Sequence, residues 1–369
     1  LLTQSETTHD GHLPVETMAG HADVPAPLVI GFVNNAPPSG RRATQRQFQT
    51  LLEQAVQAGA LQGRAVRMRC FAPDAAASQA AGHTDGAAPH ADPAPHEDID
   101  ALWSARLDGL IVTGVEPRAA AMTDEPAWPL LARLIDWAGE NTISTIWSCL
   151  SAHAAMFRLD GLARRPLPGK LSGVFAAQRA TPHDLTAKLP PAWPVPHSRC
   201  NGVDEAELIG AGYTILSHIA TPAGTRVDMF ARQDKSLFVF QQGHGEYGPE
   251  TLLREYRRDV RRFLANERAT YPAIPEACFD ADMAGAMTTL RDLAMQHRSP
   301  DLLAAFDTAA TGALRDDWRD PATTIYAAWL TLIEDRRTQA LQSPTGHTQD
   351  LLATAQPACP ATALWTVAA

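Results

Sequence analysis

Short apolar runs alternate with helical-period segments through the first half of the chain. Residues 28–33, 107–112 and 143–147 are short, largely apolar runs of strand length, and residues 64–71 also read as a strand. Between them, residues 44–58 place Phe48, Leu51, Leu52, Ala55 and Val56 at helical spacing, and residues 128–138 repeat apolar positions at three and four. Strands alternating with helices predict parallel pairing through right-handed crossovers: an α/β fold with an open, mostly parallel sheet and helices on both faces. Residues 34–40, Asn-Asn-Ala-Pro-Pro-Ser-Gly, read as a loop. After Gly173 the pattern changes. Residues 213–219, 226–231 and 236–240 read as consecutive short strands, so β-hairpins are expected at a mixed sheet edge. Residues 249–264 predict a helix opened by proline, with Leu252, Leu253, Tyr256, Val260 and Phe263 on one face. Two or three C-terminal helical stretches follow from about residue 281, the clearest at 323–337. The pattern thus divides the chain into a disordered lead-in (1–27), one domain (28–340) and a tail (341–369). Within the domain, residues 72–97, rich in Ala, Gly, Pro and His, read as a flexible insert.

Composition narrows the function classes. The chain has 369 residues, 45% of them hydrophobic, enough for a sizeable core. A net charge of −10 without a basic tract argues against a nucleic-acid partner. No run of 18 apolar residues predicts a membrane span, and the lead-in lacks the basic and apolar regions of a signal peptide. Five scattered cysteines with no C-x-x-C pair predict reduced thiols and a cytoplasmic location. Thirteen histidines without metal-ligand spacing predict no metal site, and His83, His90 and His96 fall in the insert.

Candidate chemistry lies at the carboxyl ends of the strands, where open α/β sheets bind ligands. Ser148-Cys149-Leu150 follows the apolar run at 143–147 and precedes a run of small residues, Ser151-Ala-His-Ala-Ala-Met156. A strand turning sharply into a helix at a cysteine has the form of a nucleophile elbow, and a helix N-terminus favours a thiolate. About a hundred residues later, Phe238-Val-Phe-Gln-Gln-Gly-His-Gly-Glu-Tyr247 is a buried-strand pattern ending in His-x-Glu. A thiol needs a base, and the base an orienting carboxylate; Cys149, His244 and Glu246 supply all three parts. A buried cysteine followed by an incidental loop histidine fits the same pattern.

Six strings in order then resemble the homoserine O-succinyltransferase family, whose fold is similar to that of class I glutamine amidotransferases (flavodoxin-like). They are Asp108-Gly-Leu-Ile-Val-Thr-Gly114, Ser144-Thr-Ile-Trp-Ser-Cys149, Lys170-Leu-Ser-Gly-Val-Phe175, Pro196-His-Ser-Arg199, Gly243-His-Gly-Glu-Tyr247 and Glu255-Tyr-Arg-Arg-Asp-Val260. The resemblance spans roughly residues 28 to 335. It implies that Cys149 takes the acyl group from acyl-CoA, that His244 is the general base and that Glu246 orients it. Lys170 corresponds to a lysine near the active site. Ser198, Arg199 and Arg258 correspond to residues near the amino-acid acceptor, with Arg258 set to clamp its carboxylate; a solvated Arg258 paired with Glu255 or Asp259 is the plainer alternative.

The resemblance implies ping-pong transfer of a succinyl group from succinyl-CoA to the hydroxyl of L-homoserine, on the route to methionine. Main-chain amides of Leu150 and of the Thr113-Gly114-Val115 loop are expected to hold the oxyanion. No cofactor is expected beyond acyl-CoA as co-substrate, and a homodimer is implied. The chain departs from the family string Thr-Gly-Ala-Pro-x-Gly/Glu at Thr113-Gly-Val-Glu-Pro-Arg118. In the family the last position accompanies donor choice, glycine with succinyl and glutamate with acetyl. Arg118 is neither, and a guanidinium there favours a succinyl carboxylate. Acetyl-CoA as donor and serine as acceptor remain alternatives. So do a cysteine hydrolase or glutamine amidotransferase on the same scaffold and a catalytically silent binding protein. Leu150 and His153 stand where the family often has Trp and Gln, and Ala36-Pro-Pro-Ser-Gly-Arg-Arg42 where it commonly has Met-Pro-Lys-Lys.

Overall fold

The computed structural model describes residues 26–61, 63–74, 95–310, 314–342 and 363–365. Most of the lead-in, most of the insert and most of the tail expected from the sequence lie outside these residues. The described chain runs β1 (Leu28–Val33), α1 (Pro38–Gln57), β2 (Val66–Ala72), β3 (Glu97–Asp98), β4 (Gly109–Val112), α2 (Trp128–Asn141), β5 (Ser144–Ser148) and α3 (Leu150–Asp160). Then come β6 (Arg165–Arg179), β7 (Ala192–Gly202), α4 (Glu205–Gly210), β8 (Thr214–Thr221), β9 (Gly224–Gln233) and β10 (Leu237–Gln241). Helices α5 (Thr251–Leu264), α6 (Ala281–Gln296), α7 (Leu302–Ala309) and α8 (Arg319–Gln342) follow, with β11 (Ala363–Trp365) last.

One sheet of eleven strands joins these elements, in the order β11-β2-β1-β4-β5-β10-β9-β8-β6-β7, with β3 paired to the end of β2. Strands β2, β1, β4 and β5 are mutually parallel, as the alternating pattern predicts, and β10, expected among the hairpin strands, pairs parallel with β5. From β10 onward the pairing turns antiparallel. The central strands alternate their side chains between two cores. Ile30, Ile111, Ile146 and Val239 pack with Phe48, Leu51 and Leu52 of α1 and with Tyr326, Trp329 and Ile333 of α8. Leu110, Val112, Trp147, Phe238 and Phe240 pack on the opposite side with Leu131, Leu134 and Ile135 of α2 and Ala155 and Met156 of α3. Each fully buried side chain of this size contributes about 1.5–3 kcal/mol of transfer free energy. Helices α5, α6 and α7 close a third core around Tyr256, Phe263, Met287 and Phe306. Among the described residues no helix is long and apolar enough to cross a membrane.

Three features differ from the sequence reading. Helix α1 begins at Pro38 instead of residue 44, because proline lacks only an N–H that the first helical turn leaves unpaired in any case. The long β6–β7 ribbon was not expected from the pattern. Pro166, Pro168, Pro194 and Pro196 fall inside it and read as strand breakers, yet Pro194 and Pro196 lie in the outermost strand β7 and Pro166 and Pro168 in the part of β6 that does not pair with β8, where a missing donor is tolerated. Within the segment read as a tail, Ala363–Trp365 pairs antiparallel with β2.

The ribbon is fixed to the C-terminal region at Gly173, which has φ +145 and sits against the Glu276 main chain. The Val174 N–H donates to the Glu276 carbonyl and the Glu276 N–H to the Ser172 carbonyl, both at 2.9 Å. A Cβ at this position would overlap the Glu276 carbonyl. Gly173→Ala is therefore expected to destabilise the fold by about 2–5 kcal/mol, from the unfavourable φ and the main-chain overlap together. Urea denaturation midpoints of the two proteins check this.

Candidate active site

Residue Cys149 stands between β5 and α3 with φ 53 and ψ −113, a conformation that side-chain-bearing residues rarely adopt. Such strain persists only where the surroundings impose it. Here the Cys149 N–H donates to the Gln241 carbonyl at 2.8 Å, and the Cys149 carbonyl accepts from the Ala152 N–H at 3.0 Å. The loop after β4 lies against the turn. Ser151 Oγ donates to the Thr113 carbonyl at 2.6 Å, and the Asn35 side-chain amide donates to the same carbonyl at 2.8 Å. A Cβ on Gly114 would lie 2.9 Å from the Leu150 nitrogen and 3.0 Å from the Cys149 Cβ, so only glycine allows this approach. Neither the Leu150 N–H nor the Val115 N–H finds an acceptor among the described residues.

The strand β10 delivers the second part. Its last residue, Gln241, pairs with Ser148, so the loop Gly243-His244-Gly245-Glu246 emerges beside Cys149. The His244 Nδ1 lies 2.8 Å from Glu246 Oε1. The His244 N–H donates to the Pro196 carbonyl at 2.8 Å, and its ring stacks on Tyr247 at 4.4 Å between centroids. Burial alone would lower the proton affinity of His244. The Glu246 charge and the Cys149 side chain outweigh it and hold the imidazole well above its ordinary pKa. The structure thus brings together the three residues that the two motifs singled out.

A second cluster backs the histidine. Glu255 on α5 accepts from Tyr247 Oη at 2.7 Å, from Lys170 Nζ at 3.0 Å and from Ser198 Oγ. Burial pushes the Glu255 pKa up, but the Lys170 charge and the Ser198 and Tyr247 bonds prevail and bring it down to about 2. Lys170 also lies 3.2 Å from Asp259, and the two carboxylates keep it charged against burial, above the ordinary lysine value. Arg258 pairs with Asp259 at 2.9 Å while its guanidinium stays partly open to solvent.

The other residues read from the sequence are placed differently. Arg199 is buried, and its fork is occupied by Gln242 at 2.8 Å and by the Asn201 and Val227 carbonyls. Burial lowers its pKa to about 10. These partners take up its two terminal nitrogens. Arg118 is exposed; its main-chain N–H donates to the Glu125 carboxylate at 2.9 Å, and Arg164 pairs with that carboxylate at 2.7 Å. Sequence reasoning missed the central role of Glu255, which stood in a quoted string only as a neighbour of Arg258. It also missed Tyr247 as the link between Glu255 and His244. Among the described residues, no three His, Cys, Asp or Glu side chains are grouped so as to hold a metal ion.

Comparison with known proteins shows the family. The homoserine O-succinyltransferase family matches residues 8–339. A homoserine O-succinyltransferase of Rhodopseudomonas palustris is 45% identical over 312 residues, covering 82% of this chain and 87% of that protein. One from Bradyrhizobium japonicum is 43% identical over 282 residues, covering 76% and 82%. Among solved structures, a glutamine amidotransferase of Thermotoga maritima aligns with a TM-score of 0.40 at 11% identity, covering 83% of this chain and 98% of that one. The chain belongs to the homoserine O-succinyltransferase family and is an O-acyltransferase of that type.

The depressed pKa of Glu255 carries a pH signature. A carboxylate whose folded pKa is about 2, against an ordinary 4.5, stabilises the fold above pH 4.5. That contribution is lost as pH falls from about 4.5 towards 2. Glu255→Gln is expected to be less stable at neutral pH and to show a flatter decline of stability over this window, read from denaturant midpoints at stepped pH.

Proposed function

We propose that the protein transfers a succinyl group from succinyl-CoA to the hydroxyl of L-homoserine through an acyl-enzyme on Cys149, a step of methionine biosynthesis. The observation that carries this reading is the strained Cys149 turn beside a histidine held by a carboxylate at 2.8 Å. The names of the relatives support the donor and the acceptor.

In the first half-reaction His244 takes the thiol proton and the sulfur attacks the thioester carbonyl. The unengaged Leu150 and Val115 N–H groups are suited to the oxyanion of the tetrahedral intermediate. Collapse expels the CoA thiolate, which leaves with the proton from His244. In the second, the homoserine hydroxyl gives its proton to His244 and attacks the acyl carbon. Collapse then breaks the carbon–sulfur bond, and His244 returns the proton to Cys149. Glu246 stabilises the imidazolium in both halves. Arg258 is placed to meet the acceptor carboxylate through its open side. Lys170 and Ser198 act through Glu255 and Tyr247 to fix the histidine.

Cys149→Ala is expected to lower kcat by at least about 10⁴-fold with the fold retained, and His244→Asn to slow CoA release and acceptor transfer together. Wild-type rates in purified Cys149→Ala would contradict the nucleophile assignment. For the donor, the exposed Arg118 is available to a succinyl carboxylate. Succinyl-CoA is therefore expected to give a higher kcat/KM than acetyl-CoA, with a smaller ratio in Arg118→Gly. A wild type that prefers acetyl-CoA would overturn the donor reading, and a ratio unchanged in Arg118→Gly would remove Arg118 from it.

A further inference from the structure

Three carboxylates surround Arg258, and two of them are fully engaged. Glu255 accepts from Lys170, Ser198 and Tyr247. Asp259 is paired with Lys170 and Arg258, with Arg262 and Arg268 at 3.7 Å. The third is Glu116, in the loop after β4. Its Oε1 accepts from Arg262 at 3.0 Å, and its Oε2 has no hydrogen-bond partner among the described residues. Its side chain is 57% exposed.

Position makes this spare acceptor useful. Arg262 is one helical turn beyond Arg258 on α5, so the two side chains share a face about 5–6 Å apart at their Cβ atoms. A carboxylate bonded to Arg262 therefore lies alongside the Arg258 guanidinium, and Glu116 contributes to raising the Arg258 pKa. The other end of the loop is pinned to the nucleophile. Thr113 is bonded by Ser151 and Asn35, and Gly114 touches the Cys149 turn. The loop that carries Glu116 thus touches the Cys149 turn at Gly114 and α5 at Arg262.

An α-amino acid carries a carboxylate and an ammonium on the same carbon. A site that recognises both needs a cation and an unsatisfied anion side by side. We infer that Glu116 holds the α-ammonium of the acceptor, with Arg258 on its carboxylate and Arg262 keeping Glu116 in place. This rests on the acceptor reading above and names a residue for it. Held at both charged groups, homoserine directs its two-methylene arm and hydroxyl towards the acyl-enzyme. Glu116 gives the loop after β4 a charge with which to do this.

The test compares Glu116→Gln with the wild type in three measurements: CoA release on mixing with acyl-CoA alone, turnover of L-homoserine, and turnover of 4-hydroxybutanoate, which lacks the ammonium. Loss of one charge-assisted bond is expected to raise the homoserine KM about 10- to 100-fold. The CoA-release rate and the kcat/KM for 4-hydroxybutanoate are expected to stay unchanged, so discrimination between the acceptors collapses. An unchanged homoserine KM overturns the inference, as does a CoA-release rate that falls by the same factor, since Glu116 would then be bracing the loop. A wild type that is acylated but passes nothing to homoserine would refute the acceptor reading and this inference together. An unchanged Glu116→Gln with an active wild type would refute the inference alone.

Discussion

The parallel register of β5 against β10 is the constraint on which the site depends. Ser148 pairs with Gln241, and the Cys149 N–H closes the ladder on the Gln241 carbonyl. Two segments almost a hundred residues apart therefore leave the sheet at one level, one carrying the thiol and the other the imidazole. A slip of one residue would turn Cys149 to the opposite face of the sheet. The large side chains on both faces, Trp147 and Phe240 on one and Ile146 and Val239 on the other, make such a slip costly. Core packing is in this sense what sets the catalytic geometry.

Around this frame the site is organised by charge. Glu246 orients His244 directly. Glu255 acts at one remove, through Tyr247 stacked on the imidazole. Glu255 and Asp259 would be costly buried anions if alone, but Lys170 and the α5 arginines neutralise them. The arginines exceed what these two carboxylates need. Arg258 keeps an open side and Arg262 reaches across to Glu116, so α5 presents residual positive charge where an anionic substrate group would arrive.

Much of this was legible in the sequence, and the limits have physical causes. Strands buried on both faces read as apolar runs, which is why β1, β4, β5 and β10 were apparent. The elbow and the His-x-Glu pair were visible because each is local: a few adjacent residues carry the whole signal. The β6–β7 ribbon was hidden by its prolines and by polar residues suited to an edge. That ribbon carries Lys170, Ser198 and Arg199, so their surroundings were hidden with it. Residue-by-residue resemblance named all three but could not tell that Arg199 is consumed by Gln242 and main-chain carbonyls. Glu255 went unrecognised because two of its three partners lie 57 and 85 residues away in the chain, and no local spacing encodes those contacts.

The central claim is that acyl transfer passes through the Cys149 sulfur. Mass spectrometry of the protein mixed with succinyl-CoA in the absence of acceptor tests it most directly. The account predicts a mass gain of one succinyl group, mapped to the Cys149 peptide and discharged when homoserine is added, with O-succinylhomoserine as the product. An enzyme that makes this product at full rate while Cys149 stays unmodified would contradict the account.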